Sequence, residues 1–226
     1  MRKLAVICSL MLSCALVLPF VSSTPPATAT PAVQSVGIIG DSLVSASPQT
    51  YAKLFSDAGI PITVDGVGSR ALRYGWQCRD ASGRLVVLPK PSAKKCRREG
   101  LEAVKNLAEQ GTLPDVLIIA LGTNDAGLFK PHQVAANLAE LRSLIGDRKV
   151  FLVSVKKLTS SKKPGVYNAA ASSWCATDIA CAMIDWAAAP AASNRRMYSA
   201  DRAHLTAKGV TARAQFIFDS VASTLV

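Results

Sequence analysis

Six consecutive apolar residues, Val116 to Leu121, stand between Asp115 and Gly122. The run is too short for a helix of ordinary length, and a strand that is apolar at every position must be covered on both faces. That burial needs a parallel sheet with helices above and below it. Shorter strand patterns occur at 35–39, 62–64, 150–155 and 182–184. Helical patterns fall between them. Residues 49–58 form one, and Leu101, Val104 and Leu107 a second, before Gly111. Val134, Leu138, Leu141 and Ile145 form a third, ending at Gly146, and Val210, Ala214, Ile217 and Val221 a last one. Alternating strands and helices predict one α/β domain of three layers, α/β/α, with a mostly parallel sheet, spanning residues 35–226. Folds of this class bind ligands beyond the carboxyl ends of the strands. Three segments reach that rim: Gly40-Asp41-Ser42, Asp65-Gly66-Val67-Gly68 and Gly122-Thr123-Asn124-Asp125.

The residues before this domain read differently. Arg2 and Lys3 precede an apolar run from Leu4 to about Val21, and Ala27-Thr28-Ala29 has the A-x-A form of a cleavage site. Residues 1–29 are therefore expected to be a signal peptide and 30–34 a linker, which places the protein outside the cytoplasm, secreted or in the cell envelope. A retained membrane anchor is the competing expectation, because the run is of marginal length for a span. Cys8 and Cys14 belong to the signal. Four cysteines remain, and sequence proximity favours the disulfides Cys78–Cys96 and Cys175–Cys181. Closing the first of these loops is worth ~3 kcal/mol by loop entropy. No CxxC pair exists and both histidines lie far from the cysteines in sequence, so no metal site is expected.

The formal net charge is +11 and falls by two if Arg2 and Lys3 leave with the signal. The excess is local: residues 70–98 hold nine basic residues and one acid, Asp80. A patch of this kind attracts polyanions. Outside the cytoplasm those are cell-envelope polymers rather than nucleic acid. A solvated loop with no partner is the competing reading.

Serine becomes a nucleophile when a base takes its proton. Ser42 directly follows a buried strand, where its hydroxyl can meet substrate and its N–H can face a developing oxyanion. Asp41 or Ser42 would equally suit a helix cap. The chain has two histidines, His132 and His204. His204 lies three residues after Asp201, a spacing that lets the carboxylate orient the imidazole. His132 has no such partner nearby. Asn124 sits in a turn, where its amide is a candidate oxyanion donor, and Gly66 and Gly68 can expose backbone N–H groups.

Taken together, these segments resemble the SGNH/GDSL hydrolase family. Gly40-Asp41-Ser42-Leu43 matches its first block, the Gly66 region the second, Gly122-Thr123-Asn124-Asp125 the third and Asp201-Arg202-Ala203-His204-Leu205 the last. The resemblance covers about residues 35–220. It implies a flavodoxin-like fold and a serine esterase or acyltransferase without metal or organic cofactor. Ser42 would be the nucleophile, His204 the base and then the acid, and Asp201 the orienting carboxylate. The oxyanion donors would be the Ser42 N–H, the Gly66 N–H and the Asn124 side chain. The second block lacks the asparagine usual before its glycine, so Val67 and Gly68 stay open as donors beside Gly66.

A narrower likeness joins Lys149–Val155, Tyr167-Asn168, Ile184-Asp185-Trp186 and Asp201–Gly209 to the extracellular SGNH domain of bacterial peptidoglycan O-acetyltransferases. The Asn124-Asp125 pair is closer to ordinary esterase members. The resemblance thus implies an exported esterase acting on O-acyl, chiefly O-acetyl, esters of envelope carbohydrate or on small esters, as a monomer. Three alternatives remain: an O-acetyltransferase acting on an envelope glycan, a non-catalytic cell-wall binding protein, and a lipase-like acyl hydrolase acting on long chains. Trp174, Trp186 and Tyr167 are candidates to stack on sugar rings, with core packing as their other reading.

Overall fold

The computed structural model describes residues 34–73, 99–159, 161–222 and 224–225, and the backbone of 76–79 and 85–88. The expected signal peptide, most of the expected linker, most of the basic 70–98 segment and Cys96 lie outside the described residues.

The central sheet has five parallel strands: β1 (Val36–Gly40), β2 (Ile62–Gly66), β5 (Val116–Ala120), β6 (Lys149–Val153) and β7 (Cys181–Ile184). Their order is β2-β1-β5-β6-β7, a flavodoxin-like arrangement. A separate antiparallel hairpin, β3 (Trp76–Arg79) and β4 (Leu85–Leu88), was not expected from the sequence. The longer helices are α2 (Pro48–Asp57), α3 (Gly100–Glu109), α4 (Pro131–Ile145), α5 (Lys163–Cys175) and α7 (Ala207–Ala222). Two helices of a single turn, α1 (Ser42–Ser45) and α6 (Pro190–Ser193), complete the set.

The apolar strands divide their residues between two cores, because successive side chains on a strand point to opposite faces. Ile38, Ile118, Phe151 and Ile184 face one way, against Tyr51 and Phe55 of α2 and Val210, Ile217 and Val221 of α7. Ile39, Leu117, Ile119 and Leu152 face the other, against Leu101 and Val104 of α3, Leu138 and Leu141 of α4 and Tyr167 of α5. Each fully buried aliphatic side chain contributes ~2 kcal/mol of transfer free energy. A charge on either face of β5 would therefore disrupt one core or the other. β2 differs: it alternates between half-buried and exposed residues, as an edge strand does. Gly146 ends α4 at φ 62°, a conformation that favours glycine.

Cys175 and Cys181 form a disulfide with Cα atoms 5.2 Å apart, fastening the end of α5 to the start of β7. The Cys78–Cys96 pairing cannot be placed, since Cys96 is outside the described residues.

Candidate active site

Ser42 is the first residue of α1, immediately after β1 and Asp41. The Asp41 side chain caps α1 by accepting the Leu43 N–H at 2.9 Å. Asp41 is fully buried; burial pushes its carboxyl pKa up, and the nearby Arg213 guanidinium works against that shift. The cap and the core thus set the backbone of the serine. The Ser42 N–H belongs to the first turn of its helix, where amides have no intrahelical acceptor.

The second component is the turn between Tyr198 and Leu205, two residues joined by an antiparallel bridge. Ser199 N–H donates to the His204 carbonyl at 2.9 Å and Arg202 N–H to the Ser199 carbonyl at 3.1 Å. Arg202 takes φ 59°, a left-handed conformation that lets the turn close. Asp201 Oδ1 accepts the N–H groups of Ala203 and His204, each at 3.0 Å. Its Oδ2 lies 2.5 Å from His204 Nδ1, and His204 Nε2 lies 3.0 Å from Ser42 Oγ. The hydrogen bond from His204, followed by those two backbone amides, holds the Asp201 carboxyl well below the usual carboxylate range. An ionised Asp201 accepts the proton on Nδ1, which leaves the Nε2 lone pair directed at the serine hydroxyl.

The third component follows β5. Gly122 has φ 113°, and a Cβ there would meet the Tyr167 ring at 2.4 Å, so only glycine fits. Asp125, buried behind it, accepts the Leu72 N–H at 2.9 Å and so ties the 71–73 segment to the end of β5. Burial pushes the Asp125 pKa up to about 6, against the opposing effect of the Leu72 and Arg73 amides. Asn124 donates one N–H to the Arg70 carbonyl at 2.9 Å. An amide nitrogen carries two hydrogens, so this bond fixes the side chain and leaves a second donor.

Gly66 ends β2 opposite Gly40, and a Cβ on it would lie 2.6 Å from the Ser45 backbone nitrogen. Its small size thus allows β2 to approach α1. Val67 donates its N–H to the Gly40 carbonyl at 3.0 Å. Amides of successive strand residues point to opposite edges, so the Gly66 N–H faces the outer side of β2. Ser69 has φ 63°, a left-handed conformation uncommon for a residue with a Cβ. Nothing in the sequence signals it, because no glycine marks the position. The Arg70 side chain is 3% exposed and donates to the Asp65 carbonyl at 2.8 Å and to Asp65 Oδ1 at 3.1 Å. Its burial was hidden by its position in a basic run.

No protein-family model matches the sequence, and no curated protein matches it. Solved structures do. The C-terminal catalytic domain of Streptococcus pneumoniae peptidoglycan O-acetyltransferase A, carrying a methylsulfonyl adduct, is similar with a TM-score of 0.59 and 14% identity, covering 84% of this chain and 94% of that one. A lipase/acylhydrolase from Enterococcus faecalis gives a TM-score of 0.62 and 16% identity over 85% and 97% of the two chains. A carbohydrate acetylesterase from Sinorhizobium meliloti gives 0.55 and 20% over 84% and 99%. The chain has the SGNH hydrolase fold.

Within the SGNH fold, two of the three aromatic candidates are core residues. Trp186 is 1% exposed and packs edge-on against Phe216, while Tyr167 lies beneath Gly122. Trp174 is half-buried against the α4–α5 side of the core. His132 is exposed in the first turn of α4. Among the described residues, no cluster of three or more His, Cys, Asp or Glu side chains is placed to hold a metal ion. No helix among them is long and apolar enough to cross a membrane.

Proposed function

We propose that this protein is an exported serine esterase that hydrolyses O-acyl, chiefly O-acetyl, esters of cell-envelope carbohydrate. The observation that carries the reading is the hydrogen-bonded sequence Ser42 Oγ, His204 Nε2, His204 Nδ1, Asp201 Oδ2. Ser42 Oγ attacks the ester carbonyl carbon as His204 Nε2 takes its proton. Asp201 holds the imidazole and stabilises the cation that forms. The carbonyl oxygen, now an oxyanion, is stabilised by the Ser42 N–H and the Asn124 amide. We place the third donor in the turn after β2, at the Gly68 or Ser69 N–H, because the Gly66 N–H faces the sheet edge and the Val67 N–H donates to the Gly40 carbonyl. His204 then protonates the leaving alcohol, an acyl-serine remains, and water activated by His204 releases the acid. No metal or organic cofactor enters these steps.

Export rests on the signal-like residues 1–29, and action as a monomer on the self-contained site. Transfer of the acyl group to an envelope glycan is the second reading, favoured by the likeness to the pneumococcal O-acetyltransferase domain. Hydrolysis of an aryl acetate by the wild-type protein and by Ser42→Ala tests the shared first half-reaction. The expected loss is about 10⁴-fold or more. Equal rates would leave the non-catalytic binding protein as the better account. Acetate release measured against transfer to a glycan acceptor separates esterase from transferase.

A further inference from the structure

The loop between β6 and α5, with the first residue of α5, holds four lysines in eight residues: Lys156, Lys157, Lys162 and Lys163. Three of them, Lys156, Lys157 and Lys162, line one cavity of about 380 Å³, together with the hydroxyl residues Thr159 and Ser161. None of its described lining residues is acidic, and none of the three lysines makes an ion pair among the described residues. Lys156 and Lys157 are half-buried rather than extended into solvent. Asp185 lines a neighbouring cavity, where its Oδ1 accepts from Ser154 Oγ at 2.8 Å and caps the turn at Ala188.

The cavity has a fixed base. Asn168 accepts the Val155 N–H at 2.8 Å and donates to the Val155 carbonyl at 2.9 Å, which locks the start of the loop to α5. Its far side joins the catalytic turn, because the Leu158 N–H donates to the carbonyl of Arg202 at 2.9 Å. Arg202 lies between Asp201 and His204. Lysines gathered around one cavity set up a positive potential that favours an anion among them. An acetyl ester is neutral, so the ester group of the substrate supplies no such anion.

Resting on the esterase reading, we propose that this lysine cavity binds an oxyanion substituent, carboxylate or phosphate, of the glycan that bears the ester. The site follows β6 in the chain, whereas the basic 70–98 segment follows β2. It makes the preferred substrate an acidic glycan and positions the ester by a charge several atoms away from it.

Calorimetric titration of the Ser42→Ala protein tests the cavity without turnover. Three oligosaccharides of matched length serve as probes: oligogalacturonate for carboxylate, a glycerol-phosphate oligomer for phosphate and a xylo-oligosaccharide as the neutral control. One of the acidic probes is expected to bind at least tenfold more tightly than the neutral one, and which of them does so identifies the anion. Lys156→Ala with Lys157→Ala should raise that Kd at least tenfold, ~1.4 kcal/mol, and the paired Arg substitutions should restore it. Lys162→Glu, at an exposed position, should weaken binding as much. Removing the same charge at Lys53 and Lys105, on other helices, should leave Kd within twofold. Equal binding of the neutral probe, an unchanged Kd in the lysine variants, or equal weakening by Lys53→Ala and Lys105→Ala would overturn the proposal. Acidic-probe binding that persists while wild-type protein hydrolyses no ester would instead overturn the esterase reading and leave the cavity standing.

Discussion

The two halves of the candidate triad are held in opposite ways. Ser42 extends from a strand buried along its whole length, and its neighbours Asp41 and Val44 are inaccessible to solvent. Behind it, Arg213 is 3% exposed and donates to the Tyr51 hydroxyl at 2.9 Å. The side chains of His204 and Asp201 are 53% and 49% exposed, and their turn is held by its own backbone bonds, the two amides on Asp201 and one bond from the Leu158 N–H. The proposed nucleophile is therefore positioned by the core, and the proposed base by a local circuit at the surface. Changes on the first side should appear in stability and its pH dependence. Changes on the second should appear in turnover alone, since solvent screens its charges.

The strongest way to break this comparison is Asp201→Asn. Asparagine keeps an oxygen for the Ala203 and His204 amides but loses the charge that stabilises the imidazolium. We expect kcat for an aryl acetate to fall by about 10³- to 10⁴-fold, with the melting temperature changed by no more than about 2 °C. A large drop in melting temperature would show that the turn, too, is part of the structural core.

Asp125 sharpens the other side. Its folded pKa of about 6 lies above the ordinary 3.8. Between those values the folded state binds more protons than the unfolded state, so stability falls as pH rises through the window. For a group this buried the change is ~3 kcal/mol. Chemical denaturation from pH 3.5 to 7 should show that decline, and Asp125→Asn should reduce it, leaving the part that the raised pKa of Asp41 contributes. A decline unchanged by the substitution would assign it elsewhere.

The smallest effect concerns Ser69. Ser69→Gly keeps the N–H and removes the cost of a left-handed residue, ~1 kcal/mol, partly offset by the greater freedom of unfolded glycine. Equilibrium unfolding should show stability equal to or slightly above wild type, and kcat should stay within about threefold, under ~1 kcal/mol of barrier. A tenfold loss of kcat would point to the serine side chain rather than its amide.

Much of the fold was legible because buried parallel strands carry their signature in consecutive residues: β1, β5 and β6 are apolar almost throughout. α5 was not, because it is Ala- and Ser-rich and its buried stripe, Tyr167, Ala171 and Cys175, contains one large side chain. The β3–β4 hairpin was obscured by the basic residues around it. At the site, Ser42, Asp201, His204 and Asn124 stood in short recognisable segments. What turns them into a site escaped the sequence: the left-handed backbone of Ser69, the buried Arg70 whose carbonyl anchors Asn124, and the gathering of Lys156, Lys157 and Lys162 around one cavity. Each depends on where a loop folds back, which periodicity does not encode.

The central claim is that the core-held serine is activated by the surface-held histidine. A serine-directed aryl phosphonate followed by peptide mapping tests it most directly. The account predicts stoichiometric labelling of Ser42 in the wild-type protein and labelling slowed at least 10³-fold in His204→Ala, about 4 kcal/mol of activation. Label on any other serine, or equal labelling rates in the two proteins, would contradict it.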